Sequence, residues 1–97
     1  MTMEPIIKDI SKIKLVPVQM EGATNAYMAW IIDESDAPVS FAMRIFRIKP
    51  DGKIPLHRHW YYHEIYCLEG RGKVRVGQRE YILAAGMAAY VPPDVPH

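Results

Sequence analysis

Four histidines are the side chains of this protein best suited to chemistry, and three of them lie in one short run. His57, His59 and His63 fall within seven residues, and His97 follows a proline-rich segment. Neutral imidazole is the commonest side-chain ligand for transition metals. Burying unpaired imidazoles costs roughly 1–3 kcal/mol for each unsatisfied polar group. The cluster therefore indicates a metal site, whereas a lone H-x-H pair would often be an ordinary polar strand face.

Side-chain alternation predicts which of these residues share a face. His57, His59 and His63 have the same parity, so they point to one side of an extended chain. In a strand that begins at His63, the face that carries this histidine is the more apolar one, and Glu64 points to the other face. The pattern favours His63 over Glu64 as the inward group. A bulge within residues 60–62 would shift the parity by one residue and reverse that choice.

Short apolar and β-branched segments, interrupted every eight to twelve residues by glycine or proline, predict an all-β domain. The expected strands are residues 12–18, 26–32, 40–48, 54–57, 63–68, 73–76, 79–83 and 88–91. A turn is expected at residues 50–53, where Gly52 would supply a positive φ, and further reversals at Gly70, Gly77 and Gly86. Residues 3–10 are expected to contain the one helical turn. This strand pattern fits a sandwich, a jelly roll or a small barrel.

Composition excludes several classes of function. The 97 residues carry 12 Lys and Arg against 11 Asp and Glu, a net charge of +1 that predicts binding to neither nucleic acid nor a membrane. Cys67 is the single cysteine, which excludes an internal disulfide and fits a reducing compartment. Charged residues interrupt the N-terminal segment, so no signal peptide is expected. We therefore expect a cytoplasmic protein that binds a small molecule.

Two motifs in the second half of the chain resemble those of the cupins. In the first motif, the family's glycine, H-x-H pair, glutamate and later glycine correspond to Gly52, His57, His59, Glu64 and Gly70. In the second, the glycine, proline and histidine correspond to Gly86, Pro92 and His97, and Asp94 stands where the family usually has glycine. The motifs occupy residues 52–70 and 86–97. The resemblance implies a single cupin domain over residues 1–97, folded as a double-stranded β-helix, the jelly-roll barrel.

The run H-x-H-x-x-x-H-E is similar to that of small single-domain cupins with a four-histidine metal site. This resemblance implies the metal ligands His57, His59, His63 and His97, with Glu64 as the alternative third ligand. It points to manganese or iron, and zinc, nickel or copper are also compatible with imidazole ligands. Four neutral ligands leave the metal charge uncompensated, which strengthens it as a Lewis acid.

The resulting functional hypothesis is a dioxygenase-like oxidoreductase that acts on a small molecule. The alternatives are a non-catalytic small-molecule sensor and a metal-dependent isomerase or lyase. No catalytic residue is predicted, but Trp60, Tyr62 and Cys67 are expected to line a substrate pocket, with Tyr61 near its mouth. Ordinary packing of the aromatic residues and a structural role for the thiol are the alternatives. The residues Arg44, Arg47 and Arg58 are either anchors for a carboxylate substrate or solvated charges.

The N-terminal strands, in residues 1–25, are expected to contact a second copy of the chain in a homodimer. A jelly roll normally continues with further strands after the last ligand. We therefore expect a chain truncated after His97. The alternatives are closure by the partner's N-terminal strand and an incomplete barrel, in which unpaired strand edges would stay exposed.

Overall fold

The computed structural model describes residues 4–97, which fall into two compact units divided between residues 54 and 55. Its elements in chain order are a 3-10 helix Ile10–Lys12 and the strands β1 Val16–Pro17, β2 Thr24–Ile32, β3 Met43–Lys53, β4 His63–Tyr66, β5 Arg71–Val76, β6 Arg79–Ala84 and β7 Ala88–Val91. The expected all-β class is confirmed. No helix in the described part of the chain is long and apolar enough to cross a membrane.

The first unit contains the antiparallel sheet β1–β2–β3. Ahead of this sheet, the helical turn begins later than expected, because the Asp9 carboxylate accepts hydrogen bonds from the backbone N–H and hydroxyl of Ser11 at 3.0 and 2.7 Å. The same hydrogen bonds lower the pKa of Asp9. The expectation of a helical turn in residues 3–10 was wrong for residues 4–9, and Met3 lies outside the described residues.

A bulge in β3 replaces the turn expected at residues 50–53. The register passes from Ala26 opposite Ile48 to Thr24 opposite Lys53, so residues 49–52 bulge outward against a much shorter stretch of β2. The left-handed backbone in this bulge belongs to Asp51, at φ 65°, and not to Gly52 as expected. The expected turn was therefore wrong, because β3 continues through these residues to Lys53.

Gly52 is required in this bulge because two backbone carbonyl groups approach it closely. A Cβ at this position would lie 2.5 Å from the carbonyl oxygen of Asn25 and 2.8 Å from that of Lys49. Neither atom belongs to a flexible side chain that could move aside. The glycine therefore meets a steric need, not a need for positive φ.

The second unit contains two separate antiparallel ladders, β4 with β7 and β5 with β6. Residues 77 and 78 form the hairpin turn between β5 and β6, and Gly77 takes the positive φ of 63° that such a turn needs. Gly70 and Gly86 also have positive φ, at 77° and 86°, so these three expected reversals are confirmed. Across the described residues the ladders form three separate sheets and do not close into a barrel.

Residues 54–57 were expected to form a strand and do not. Proline at position 55 has no N–H to donate to a ladder, and the peptide groups of His57 pair with a single residue, His97. The next strand, β4, pairs with β7 and sets His63 opposite Val91, a side chain that is fully buried. The ladder therefore fixes the backbone at His63, the last histidine of the run.

Candidate metal centre

Backbone hydrogen bonds bring His97 against the first histidine of the run. The N–H of His57 donates to the carbonyl of His97 at 2.8 Å, and the N–H of His97 donates to the carbonyl of His57 at 2.9 Å. One residue earlier, the carbonyl of Pro96 accepts from Gly77 at 2.8 Å, in the turn between β5 and β6. His97 is therefore held at both of its polar backbone groups, although it is distant in sequence from His57.

The second histidine of the run, His59, is hydrogen-bonded to the C-terminal segment that carries His97. The N–H of Asp94 donates to the carbonyl of His59 at 2.8 Å. Asp94 has φ 60°, in the left-handed region, at the position where the cupin motif usually has glycine. Aspartate tolerates this conformation better than most residues, so the departure from the motif leaves the backbone path intact.

Three of the histidines share one arrangement of hydrogen bonds. Their Nδ1 atoms lie 2.7–2.9 Å from backbone carbonyl oxygens, those of Pro55, Tyr61 and Val95 for His57, His59 and His97 respectively. A carbonyl oxygen only accepts, so each Nδ1 carries the proton and donates it. In a neutral ring the lone pair is then on Nε2. Carbonyl acceptors that fix the ring in this way are typical of histidines that ligate a metal.

The nitrogen atoms available for coordination converge. One ligand atom from each of His57, His59 and His97 lies within 4.8 Å of the others, and all three residues are half-buried. The Nε2 of His59 is buried with no hydrogen-bond partner in the described part of the chain. Leaving such an atom unsatisfied costs about 1–3 kcal/mol, which coordination to a cation would recover. The donor set therefore fits a transition metal.

His63 adjoins this trio. Its ring centroid lies 4.3 Å from that of His59 and 5.4 Å from that of His97. Its nitrogen atoms do not belong to the group that converges within 4.8 Å, so its role as the fourth ligand stays a prediction. Along β4 the expected alternation is observed: His63 and Ile65 are half-buried, and Glu64 is exposed. Glu64 pairs with Tyr90 of β7.

The residues expected to line a substrate pocket do not form one group. Trp60 is 80% exposed, and Tyr62 is 55% exposed with its ring 5.7 Å from that of Tyr90. Cys67 is half-buried and directs its thiol to the carbonyl of Glu69 at 3.4 Å, in the turn after β4. Their role as pocket residues stays a prediction. One concavity of this unit, about 410 Å³, is lined by residues 64–66 and 88–90, on the exposed side of the β4–β7 ladder.

The possible arginine anchors have different surroundings. Arg44 places its guanidinium 4.9 Å from the ring centroid of Trp30 and 5.1 Å from that of Phe46, within the first unit. These cation–π contacts hold the guanidinium against aromatic rings of its own sheet. Arg47 lines a shallow depression beside Tyr27, also in the first unit, and Arg58 is exposed.

Tyr61 is the residue whose position the sequence did not predict. Its ring stacks on that of His59, with centroids 3.9 Å apart and planes 7° from parallel. A signal was present, because Tyr61 has the same odd parity as the three clustered histidines. The sequence grouped it with its aromatic neighbours at a pocket mouth, whereas the structure places it against a candidate ligand.

Comparison with known families decides the family to which the chain belongs. The family model described as Cupin domain matches residues 44–97, more than half of the chain. The chain belongs to the cupin family. A comparison with curated proteins found no match. The resemblance seen in the two motifs is therefore confirmed, and the histidine trio of this cupin lies within the matched region.

Proposed function

We propose that this cupin binds one divalent transition metal ion through His57, His59, His63 and His97. The observation that carries the proposal is the buried Nε2 of His59, in a trio of histidines whose ligand atoms converge within 4.8 Å. Hydrogen bonds from each Nδ1 to a carbonyl leave the lone pair on Nε2 in all three rings. The ring of His63 next to that of His59 supports it as the fourth ligand.

The residues indicate the class of metal but not the element. Imidazole suits manganese, iron, nickel, copper and zinc, and the general affinity order does not select among them. When bound, such an ion would act as a Lewis acid towards a small oxygen-bearing ligand. The protein's part is to present neutral imidazoles in fixed orientations. The hydrogen-bond pair between His57 and His97 keeps two of them together.

Elemental analysis of protein purified without added metal tests the ligand set. We expect near-stoichiometric metal in the parent and a large loss in His63→Ala, because this side chain lies on the half-buried face of β4. Glu64→Ala is the matched control, since it removes the adjacent, exposed side chain, and it should retain the parent metal content. Loss of metal in Glu64→Ala with retention in His63→Ala would replace the proposed set by three histidines and one glutamate.

We further propose that the bound metal supports an oxidoreductase reaction of the dioxygenase type on a small organic substrate. A redox-capable metal held by neutral ligands beside exposed aromatic side chains supports this reaction class. We expect the iron- or manganese-loaded protein to consume dioxygen only when an enol, catechol or diketone is added, as measured with an oxygen electrode. Tight binding of such a compound without oxygen uptake would instead identify a sensor, and substrate conversion without oxygen uptake would identify an isomerase or lyase.

We also propose that residues 1–97 form one double-stranded β-helix domain that pairs with a second copy of the chain. In the first unit, β3 is an edge strand, and its side chains Met43, Phe46 and Ile48 are 39–52% exposed. Apolar side chains in residues 4–25 are also exposed, among them Ile7 at 93% and Val16 at 44%. A long apolar edge of this kind is normally covered in native proteins, which supports the homodimer.

A further inference from the structure

His59 is attached to the backbone less firmly than the other two histidines of the trio. His57 and His97 hold each other through two reciprocal hydrogen bonds. His59 lies in residues 54–62, which contain no strand, and its carbonyl accepts one backbone hydrogen bond, from Asp94. The direction of its buried Nε2 therefore depends on contacts made by the ring itself.

Besides its contacts with the neighbouring histidine rings, the imidazole of His59 makes two contacts with a single residue, Tyr61, two positions further along the chain. The carbonyl of Tyr61 accepts a hydrogen bond from Nδ1–H of His59 at 2.7 Å, which fixes the Nδ1 edge of the imidazole. The phenol ring of Tyr61 lies parallel to the imidazole at 3.9 Å, which fixes the plane of the imidazole. Together the two contacts determine where the Nε2 lone pair points.

Neighbouring aromatic rings hold Tyr61 in turn. The ring of Trp60 lies edge-on to it at 5.3 Å and 79°, and the ring of His63 lies 5.4 Å away. Tyr61 is 38% exposed, whereas Trp60 is 80% exposed. Tyr61 thus occupies the position between the histidines and the more exposed indole.

We propose that Tyr61 is a positioning residue that orients His59 for metal binding through its carbonyl and its stacked ring. This inference rests on the proposed metal-binding function. The carbonyl contact survives any substitution that preserves the backbone, so side-chain variants test the stacking alone. The stacking needs a flat ring and not the hydroxyl, so phenylalanine should replace tyrosine and leucine should not.

The test compares Tyr61→Leu with Tyr61→Phe, and uses Tyr66→Leu as the matched control. Tyr66 is a 62% exposed tyrosine of β4, on the face opposite that of His63. In a manganese titration we expect Tyr61→Leu to bind about tenfold more weakly, at the lower end of the effect of losing a group that orients a ligand. Tyr61→Phe and Tyr66→Leu should keep the parent affinity within about twofold.

Two spectroscopic readouts separate orientation from general destabilisation. At saturating copper(II), the electron paramagnetic resonance spectrum of Tyr61→Leu should differ from that of the parent, and the spectrum of Tyr61→Phe should not. In metal-free protein, the ring-current shift on the His59 ring protons should disappear in Tyr61→Leu and persist in Tyr61→Phe.

Each failure has its own signature. Metal binding by the parent, with parent-like affinity and spectra for Tyr61→Leu, overturns the positioning role alone. The positioning role is also overturned if Tyr66→Leu weakens metal binding as much as Tyr61→Leu does. A parent protein that binds none of the metals overturns the proposed function, and the positioning role falls with it.

Discussion

Replacing His59 by alanine is expected to lower metal affinity by more than about 100-fold, beyond the range seen when only a group that orients a ligand is lost. The variant loses a donor whose Nε2 is buried without a hydrogen-bond partner in the described residues. At a metal concentration 100 times the parent dissociation constant, binding adds about 2.7 kcal/mol to the free energy of unfolding of the parent. At the same metal concentration, binding should stabilise His59→Ala by about 0.4 kcal/mol or less, because its affinity is lower by more than about 100-fold. Urea unfolding with and without manganese measures both values.

The metal-free form of the same variant provides a second readout. Truncation to alanine removes the Nδ1 hydrogen bond to the Tyr61 carbonyl and the stacking on Tyr61, but it also removes the unsatisfied buried Nε2. Because these effects oppose each other, metal-free His59→Ala should be within about 1–2 kcal/mol of the metal-free parent. Tyr66→Ala is the control, because it truncates an exposed aromatic side chain of the same unit. A parent-like metal effect in His59→Ala would contradict the ligand assignment, as would an equal loss in Tyr66→Ala.

Replacing Gly52 by alanine is expected to lower the free energy of unfolding by about 1–3 kcal/mol, the usual cost of inserting a methyl group where there is no space. The added Cβ would lie 2.5 and 2.8 Å from two backbone carbonyl oxygens, so β2 or β3 must shift to accommodate it. Hydrogen exchange should accelerate across the β2–β3 ladder, where the bulge interrupts the register. Urea unfolding gives the change in stability, and exchange mass spectrometry locates it.

Gly72→Ala is the matched control for this prediction. Gly72 also lies in a strand, β5, but a Cβ at that position would meet no atom within 4 Å. Alanine there restricts the unfolded chain without straining the native one, so stability should be unchanged or should rise by up to about 1 kcal/mol. Equal effects of the two substitutions would show that the close carbonyl groups do not explain the glycine at position 52.

Much of the local structure follows from the sequence because strands and turns leave short-range patterns. Five of the expected strands, at residues 26–32, 63–68, 73–76, 79–83 and 88–91, correspond closely to β2 and β4–β7. Alternation within β4 correctly predicted that His63 and Glu64 lie on opposite faces, with Glu64 on the exposed one. The turn at residues 50–53 and the strand at 54–57 were wrong. At residues 50–53, strand pairing across a bulge overrides the local preference for a turn. At residues 54–57, the backbone of His57 pairs with the distant His97 and not with a strand.

By itself, the sequence determined the types and spacing of the histidines, and it thereby indicated a metal site and a cupin resemblance. Only the tertiary structure decided which groups meet. The pairing of His57 with His97 and the stacking of Tyr61 on His59 both depend on where distant ladders and loops place the backbone. The reason is physical: side-chain type and alternation act over a few residues, whereas convergence of donor atoms requires hydrogen bonds between segments far apart in the chain.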